Sequence, residues 1–296
     1  VVAIPILAAV GASTGWATGI VLAQAPARRL GAFEFTRIQL VACAAIVSLL
    51  CSVLGLWPSV TWDHWPAFVA STVVGIFLGN LAMIECLRLG GPRRTELLLS
   101  FKGPLVALMA FVWLGERVSV MDMVGALVVL ASVMVTIQFG GDDRSESDRL
   151  RGSLWRVVLL GLVATACQGL GFLLMKPAML AGTDPLAASS VRLLGAAFLI
   201  SCVALWPARV FRSDAEMTPA LLGRVVLPGV IGYVVSSSLL LYAFAHFHAG
   251  LAAVFGSLSP VLVLPILWLK DGRPPKPAAV LGAIGAIVGA GIVVLF

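Results

Sequence analysis

Leu97 to Ser119 reads LLLSFKGPLVALMAFVWLGERVS, an apolar run with Lys102 and Pro104 inside it and Gly115-Glu116-Arg117 near its end. A weaker copy, FGSLSPVLVLPILWLKDGRPP, covers Phe255 to Pro275, with Pro260 answering Pro104, Trp268 answering Trp113 and a charged turn following. The two prolines lie 156 residues apart in a chain of 296, so the copy recurs after about half its length. A hydrocarbon core about 30 Å thick needs about 20 mostly apolar residues per helix, and both stretches meet that need.

Composition extends this reading to the whole chain. Only 11% of residues are charged and 60% are hydrophobic, whereas soluble domains carry about a quarter charged residues; the chain reads as an integral membrane protein. The net charge of +6 argues for no nucleic-acid partner, because the charges flank apolar spans instead of forming one patch. Cys43, Cys51, Cys86, Cys167 and Cys202 all fall inside apolar runs without a C-x-x-C spacing. They read as buried thiols, not disulfides or metal ligands, and neither a cofactor nor a metal is expected. The first apolar run lacks a basic leader, so it reads as a spanning helix and not a cleaved signal.

Counting by length predicts an all-α membrane protein of ten transmembrane helices, at 3–23, 36–56, 66–87, 96–114, 121–139, 155–175, 186–206, 224–245, 250–269 and 278–295. Pro-, Gly- and Arg-rich turns such as Ala25-Pro26-Ala27-Arg28-Arg29 separate them, and residues 141–152 read as a charged linker. With ends alternating across the bilayer, fifteen Lys and Arg residues fall on one side and only Arg117 and Lys176 on the other. Positively charged loops stay in the cytoplasm, which places both termini outside, in what reads as a bacterial inner membrane.

Four correspondences share nearly one offset: Gly15-Trp16 with Gly171-Phe172, Arg37 with Arg192, Asn80 with Ser236, and Pro104 with Pro260. Five helices per copy is an odd number, so the second copy, 153–296, enters the membrane from the face opposite to the first, 1–140. Two inverted five-helix repeats are an architecture of alternating-access transporters, with a site near the midplane between them.

The pattern Pro104…Leu114-Gly115-Glu116-Arg117…Gly125, its partner Pro260…Trp268-Leu269-Lys270-Asp271…Gly282, and the turn Leu89-Gly90-Gly91-Pro92-Arg93 resemble the drug/metabolite transporter superfamily, in its ten-helix type with two EamA-like domains. The second half departs from that pattern, with Lys270-Asp271-Gly272 where a Gly-Glu pair is usual. The resemblance implies secondary transport, often export, of a small metabolite, amino acid or drug through a cavity walled largely by helices 3, 4, 8 and 9.

Charged groups within a span cost roughly 2.5 to 3.5 kcal/mol on insertion scales, so they face a cavity or a partner. Lys102 is the first candidate substrate ligand; its bland reading is a snorkel to the cytoplasm or a pair with Glu85 or Glu96. Glu85, Arg88 and Glu96 cluster near the inner end of helices 3 and 4 and read as an inner gate or an ion-pair network. Arg37 and Arg192 each sit early in a second helix of a repeat, where headgroup anchoring or capping is the favoured role.

Asn80, Ser236 and Ser237 lie mid-span, Ser100 precedes Pro104, and Ser257 and Ser259 flank the approach to Pro260; all are candidate cavity ligands. Against this stands the ordinary role of such groups in bonding a neighbouring helix. Trp16 and Phe172 are candidate cavity walls or plain packing. Pro104 and Pro260 each remove a backbone donor and read as flexible points of a gate. The G-x-x-x-G series at Gly11, Gly15 and Gly19, at Gly75 and Gly79, and at Gly285 and Gly289 read as seams inside one chain.

The expectation is a secondary active transporter, in the exporting direction, for a small polar solute such as an amino acid, its partners being that solute and the lipid bilayer. A multidrug exporter of organic cations is the rival, with Glu85 or Glu96 as the acid. No enzyme is expected, because no H-E-x-x-H and no Asp pair occurs within a span.

Overall fold

The computed structural model describes residues 3–115, 119–140, 150, 153–206 and 216–256, and scattered positions between 258 and 292. Within its helices the side chains of Pro92, Arg93, Leu97, Ser100, Pro104, Asp122, Val133 and 136–140 lie outside the description. The described residues are helices and short turns, without strands.

We number the helices α1 (Ala3–Leu30), α2 (Ala32–Val53), α3 (Trp62–Gly91), α4 (Lys102–Leu114, led into by 92–100), α5 (Val120–Gly140), α6 (Leu154–Leu180), α7 (Pro185–Ala204), α8 (Pro219–His246) and α9 (Ala249–Gly256). Six of these, α1 to α3 and α6 to α8, are long and apolar enough to cross a membrane. They are the first three helices of each expected repeat. The continuation of α9 and the tenth expected helix fall mostly outside the described residues.

Two of the expected boundaries are corrected. The segment around Pro26 is not a turn: α1 runs on to Leu30, and the chain breaks at Gly31. Likewise α3 runs to Gly91, after which the next helix starts at once. Gly31 (φ 79°, ψ 166°) and Gly91 (φ 80°, ψ 170°) share one backbone conformation, open only to a residue without Cβ. A single glycine therefore turns the chain at each place, and the Pro-Arg residues that looked like the turn are helical. Gly115, in the left-handed region, ends α4 as a C-cap.

Both third helices of the repeats contain a π segment, Ser71–Leu78 in α3 and Val230–Ser236 in α8. The apolar pattern does not reveal it, because one extra residue per turn leaves composition unchanged. π segments are rare and gather at functional sites; these two lie at matching places in the two halves.

The glycine series are seams between the halves. Along α1, Gly11 meets Leu239, Gly15 meets Ser236 and Gly19 meets the Pro228 carbonyl, so α1 runs antiparallel to α8. Along α3, Gly75 meets Gly171, Gly79 meets Gln168 and Gly90 meets Val157, so α3 runs antiparallel to α6. A Cβ at Gly75 would sit 2.7 Å from Gly171 Cα, backbone against backbone. The first helix of each half thus packs on the third helix of the other, while α2 meets α7 and α4 meets α9. That exchange of partners is what a two-fold relation between repeats produces. Without a hydrophobic drive between helices in lipid, close approach over small residues is what holds such seams.

The end of the bundle opposite Gly31 and Gly91 is filled. Phe172, Leu173, Met175, Phe244 and the α9 residues Leu251 to Phe255 form the largest buried cluster. Above them the connections are tied together: the Thr61 and Thr183 hydroxyls lie 2.6 Å apart, Asp184 N donates to Ser59 Oγ at 3.1 Å, and Lys176 Nζ donates to the Phe247 carbonyl at 3.0 Å. The cysteines are free thiols, but Cys167 is only half-buried and Cys202 is exposed, not buried as expected, because the lipid-facing surface of a span is as apolar as its interior.

Candidate functional site

The end of the bundle nearer Gly31 and Gly91 keeps a smaller buried cluster, with Ala27, Leu30, Phe35, Leu87 and Val225. Between the repeats lies a cavity of about 100 Å³. Its walls come from α1 (Trp16 to Ala23), α2 (Gln39), α3 (Gly75 to Ile84), the 96–102 stretch, α6 (Gln168, Phe172), α7 (Arg192, Leu193) and α8 (Pro228 to Ser237), with Gly256 and Ser259. Helices 1, 2, 6 and 7 therefore join the four expected from the resemblance, since the exchanged packing brings them to the shared axis.

Its floor is aromatic. Trp16 and Phe172, matched across the repeat, meet edge-to-face with centroids 5.9 Å apart, and Phe172 lies 5.9 Å from Phe244 beneath. Lys102 reaches the centre from the start of α4, where the turn at Phe101 sets it against α6. Its Nζ donates to Gln168 Oε1 at 3.0 Å, and Gln168 Nε2 donates to Asn80 Oδ1 at 3.1 Å, a polar chain across α4, α6 and α3. The same ammonium stands 5.0 Å from the Trp16 ring centroid, within cation–π range.

Glu96 lies six residues before Lys102, roughly 9 Å along the helix at 1.5 Å per residue, on the side of the Gly91 turn. It lines the cavity at 5% exposure, is close enough to Lys102 to act on it electrostatically, and has one carboxylate oxygen without a hydrogen-bond partner. The cluster read from sequence is thereby divided. Glu85 and Arg88 pair with each other at 2.7 and 2.8 Å, and Arg156 of α6 stands 3.5 Å from Glu85. That network joins α3 to α6 and does not line the cavity.

The serines also divide. Ser237 and Ser259 line the cavity, and Ser259 Oγ lies 3.3 Å from Ser13 Oγ, which itself donates to the Gly256 carbonyl at 2.9 Å. Ser236 turns away: its hydroxyl donates to the Ile231 carbonyl at 2.9 Å, within the π segment, against Gly15. The side chains of Ser100 and Pro104 lie outside the described residues, as do Ser257 and Pro260.

Arg37 and Arg192, matched in the repeat, end up in different surroundings. Arg37 is 38% exposed and holds Glu34 three residues earlier. Arg192 is 1% exposed, lines the cavity, and lays its guanidinium 5.0 Å from the Phe172 ring centroid. Sequence reasoning favoured headgroup anchoring for it and left Gln168, Gln39 and Tyr233 unconsidered. Gln168 has no polar counterpart in the first half, where Ala12 stands, so the repeat does not mark it; its polarity at mid-span is the available signal.

Among the described residues, no group of three His, Cys, Asp or Glu side chains could hold a metal ion. The described lining carries two cations, Lys102 and Arg192, against one acid, Glu96. Its chemistry is recognition, with donors outnumbering acceptors on an apolar and aromatic wall.

Membrane-length helices packed as two exchanged halves around a shared, largely apolar cavity with a few charged groups, filled at one end, are the anatomy of a membrane transport protein. The sequence profile of the EamA-like transporter family matches residues 3–138 and 155–295. The chain belongs to that family, and with it to the transporters of the drug/metabolite superfamily. No curated protein matches the chain. A solved structure titled "Crystal structure of protein" is similar over 98% of this chain and 96% of its own, with a TM-score of 0.77 at 17% identity, a likeness of fold.

Proposed function

We propose that the protein is a secondary active transporter that exports a small polar metabolite bearing a carboxylate, such as an amino acid. The observation that carries this reading is the cavity between the halves, lined by two cations and one acid. In a site of low dielectric such an imbalance favours an anionic group on the solute. Taking the basic turns as cytoplasmic, Glu96 and Lys102 of the lining stand toward the side from which an exporter loads, with both termini on the periplasmic side.

Transport then requires the closed end to open while the other closes. The units that rock are the halves 1–140 and 153–296, joined by the charged linker 141–152, with Pro104 and Pro260 as points of flexure. Counterflow in proteoliposomes tests the class: preloaded carboxylate solutes should drive uptake of labelled solute, and Lys102→Ala should weaken it. Lack of exchange for every carboxylate tried would remove the substrate reading.

One observation favours the organic-cation alternative, the buried Glu96 carboxylate with an unbonded oxygen in the cavity wall. That alternative predicts resistance to quaternary ammonium compounds that Glu96→Gln abolishes.

A further inference from the structure

We infer that Arg192 is the anchor for the substrate's carboxylate, and that the solute enters carboxylate first, toward the closed end of the cavity. The inference rests on the carboxylate reading above and adds which cation makes the contact.

A guanidinium cannot shed its proton in a protein, so a buried one must find acceptors. Arg192 is 1% exposed, and among the described residues its guanidinium donates no hydrogen bond; Nε and Nη1 are enclosed without a partner. Phe172 occupies one face of the group, which leaves the rim of N–H donors for an in-plane acceptor. A carboxylate fits that planar fork with two parallel hydrogen bonds.

The matched position in the first half shows what such an arginine takes when the chain supplies it. Arg37 holds the Glu34 carboxylate through Nε and Nη2. Three residues before Arg192 stands Ser189, whose hydroxyl accepts from Ser238 Oγ at 3.2 Å. The second half therefore keeps the arginine and lacks the acid, and the cavity lies where a carboxylate from outside the chain can enter.

Lys102 is the other cation in reach, and it is already satisfied by Gln168, by the Trp16 face and by the field of Glu96. Along α3 the cavity passes Arg192 beside Gly75 and then the Lys102–Gln168–Asn80 chain, five residues on. A solute held at Arg192 presents its polar remainder to that chain.

The test uses purified full-length protein and three acid–amide pairs: L-alanine with L-alaninamide, L-leucine with L-leucinamide, and succinate with succinamide. Ligand-induced rise in Tm and counterflow are both read, in wild type, Arg192→Gln, Arg192→Lys and the control Arg37→Gln. Wild type should be stabilised by at least one acid and not by its amide. Arg192→Gln should lose that preference, with affinity for the acid down at least about thirtyfold, as when one partner of a buried charge pair is removed. Arg192→Lys, which keeps charge but not the fork, should bind about tenfold more weakly, and it carries the test if the glutamine variant does not fold. Arg37→Gln should match wild type. If wild type prefers the acid and both Arg192 variants keep that preference at unchanged affinity, the anchor is overturned and the carboxylate reading stands. If wild type responds to no acid, or to chloride alone, the carboxylate reading falls and the anchor with it.

Discussion

Arg37 and Arg192, matched in the sequence repeat 155 residues apart, stand in different surroundings in the two halves. In the first half, Glu34 lies three residues before the arginine and holds it at the rim, 38% exposed. In the second half, Ser189 stands in that place and the arginine turns inward over Phe172. Duplication supplies the same side chain twice, and divergence around it decides whether it ties a helix surface or lines a passage. A symmetric scaffold can thus hold an asymmetric site.

Several changes would break or sharpen this contrast. The largest effect is expected from Gly75→Leu. A side chain there meets Gly171 backbone and, 3.4 Å away, Arg192 Nη2, so it separates α3 from α6 and takes the guanidinium's space. Overpacking of this kind costs about 3 kcal/mol, and a fall in Tm with loss of folded protein on gel filtration should follow.

Ser189→Glu comes next, since it rebuilds in the second half the pairing of the first. An internal carboxylate three residues before Arg192 competes with the solute, so acid binding should weaken at least about thirtyfold. Ser189→Gln, of equal bulk without charge, should weaken it far less; equal losses in the two would show that volume and not charge is responsible.

Gln168→Leu should have a moderate effect. It removes the acceptor of Lys102 and the donor to Asn80 together. Net worth of about 1 to 2 kcal/mol for such bonds corresponds to roughly a tenfold rise in the concentration giving half-maximal counterflow. The smallest effect belongs to Glu34→Gln. A half-exposed i, i+3 pair contributes about 0.3 to 0.5 kcal/mol, so Tm and transport should stay close to wild type.

Much of the fold is legible in the sequence because a bilayer imposes simple rules. Span length, apolar content and flanking charge follow from thickness and from where basic loops can reside, and the constant offset from Gly15-Trp16 to Pro104 exposes the duplication. Trp16, Phe172, Asn80 and Lys102 are legible as candidates to line the cavity, as they do, since each is either repeat-matched or a charge inside a span. Helix ends were less so: the breaks at Gly31 and Gly91 depend on one backbone conformation, while the neighbouring Pro26 and Pro92 carry the louder composition signal. The π segments at Ser71–Leu78 and Val230–Ser236 were invisible, since hydrogen-bond register changes without a change in residue type.

By itself the sequence determined the solvent in which the protein folds, its division into two copies and the glycine faces along which helices approach, because each depends on local composition and spacing. Only the tertiary structure decided that Arg192 faces the cavity while Arg37 does not, that Glu96 parts from Glu85 and Arg88, and that Gln168 links Lys102 to Asn80. Those outcomes depend on which helix of one half meets which helix of the other. Rotation of a helix about its axis by a single residue step redirects a side chain by about 100°, and in a span apolar on all sides only packing against neighbours sets that rotation.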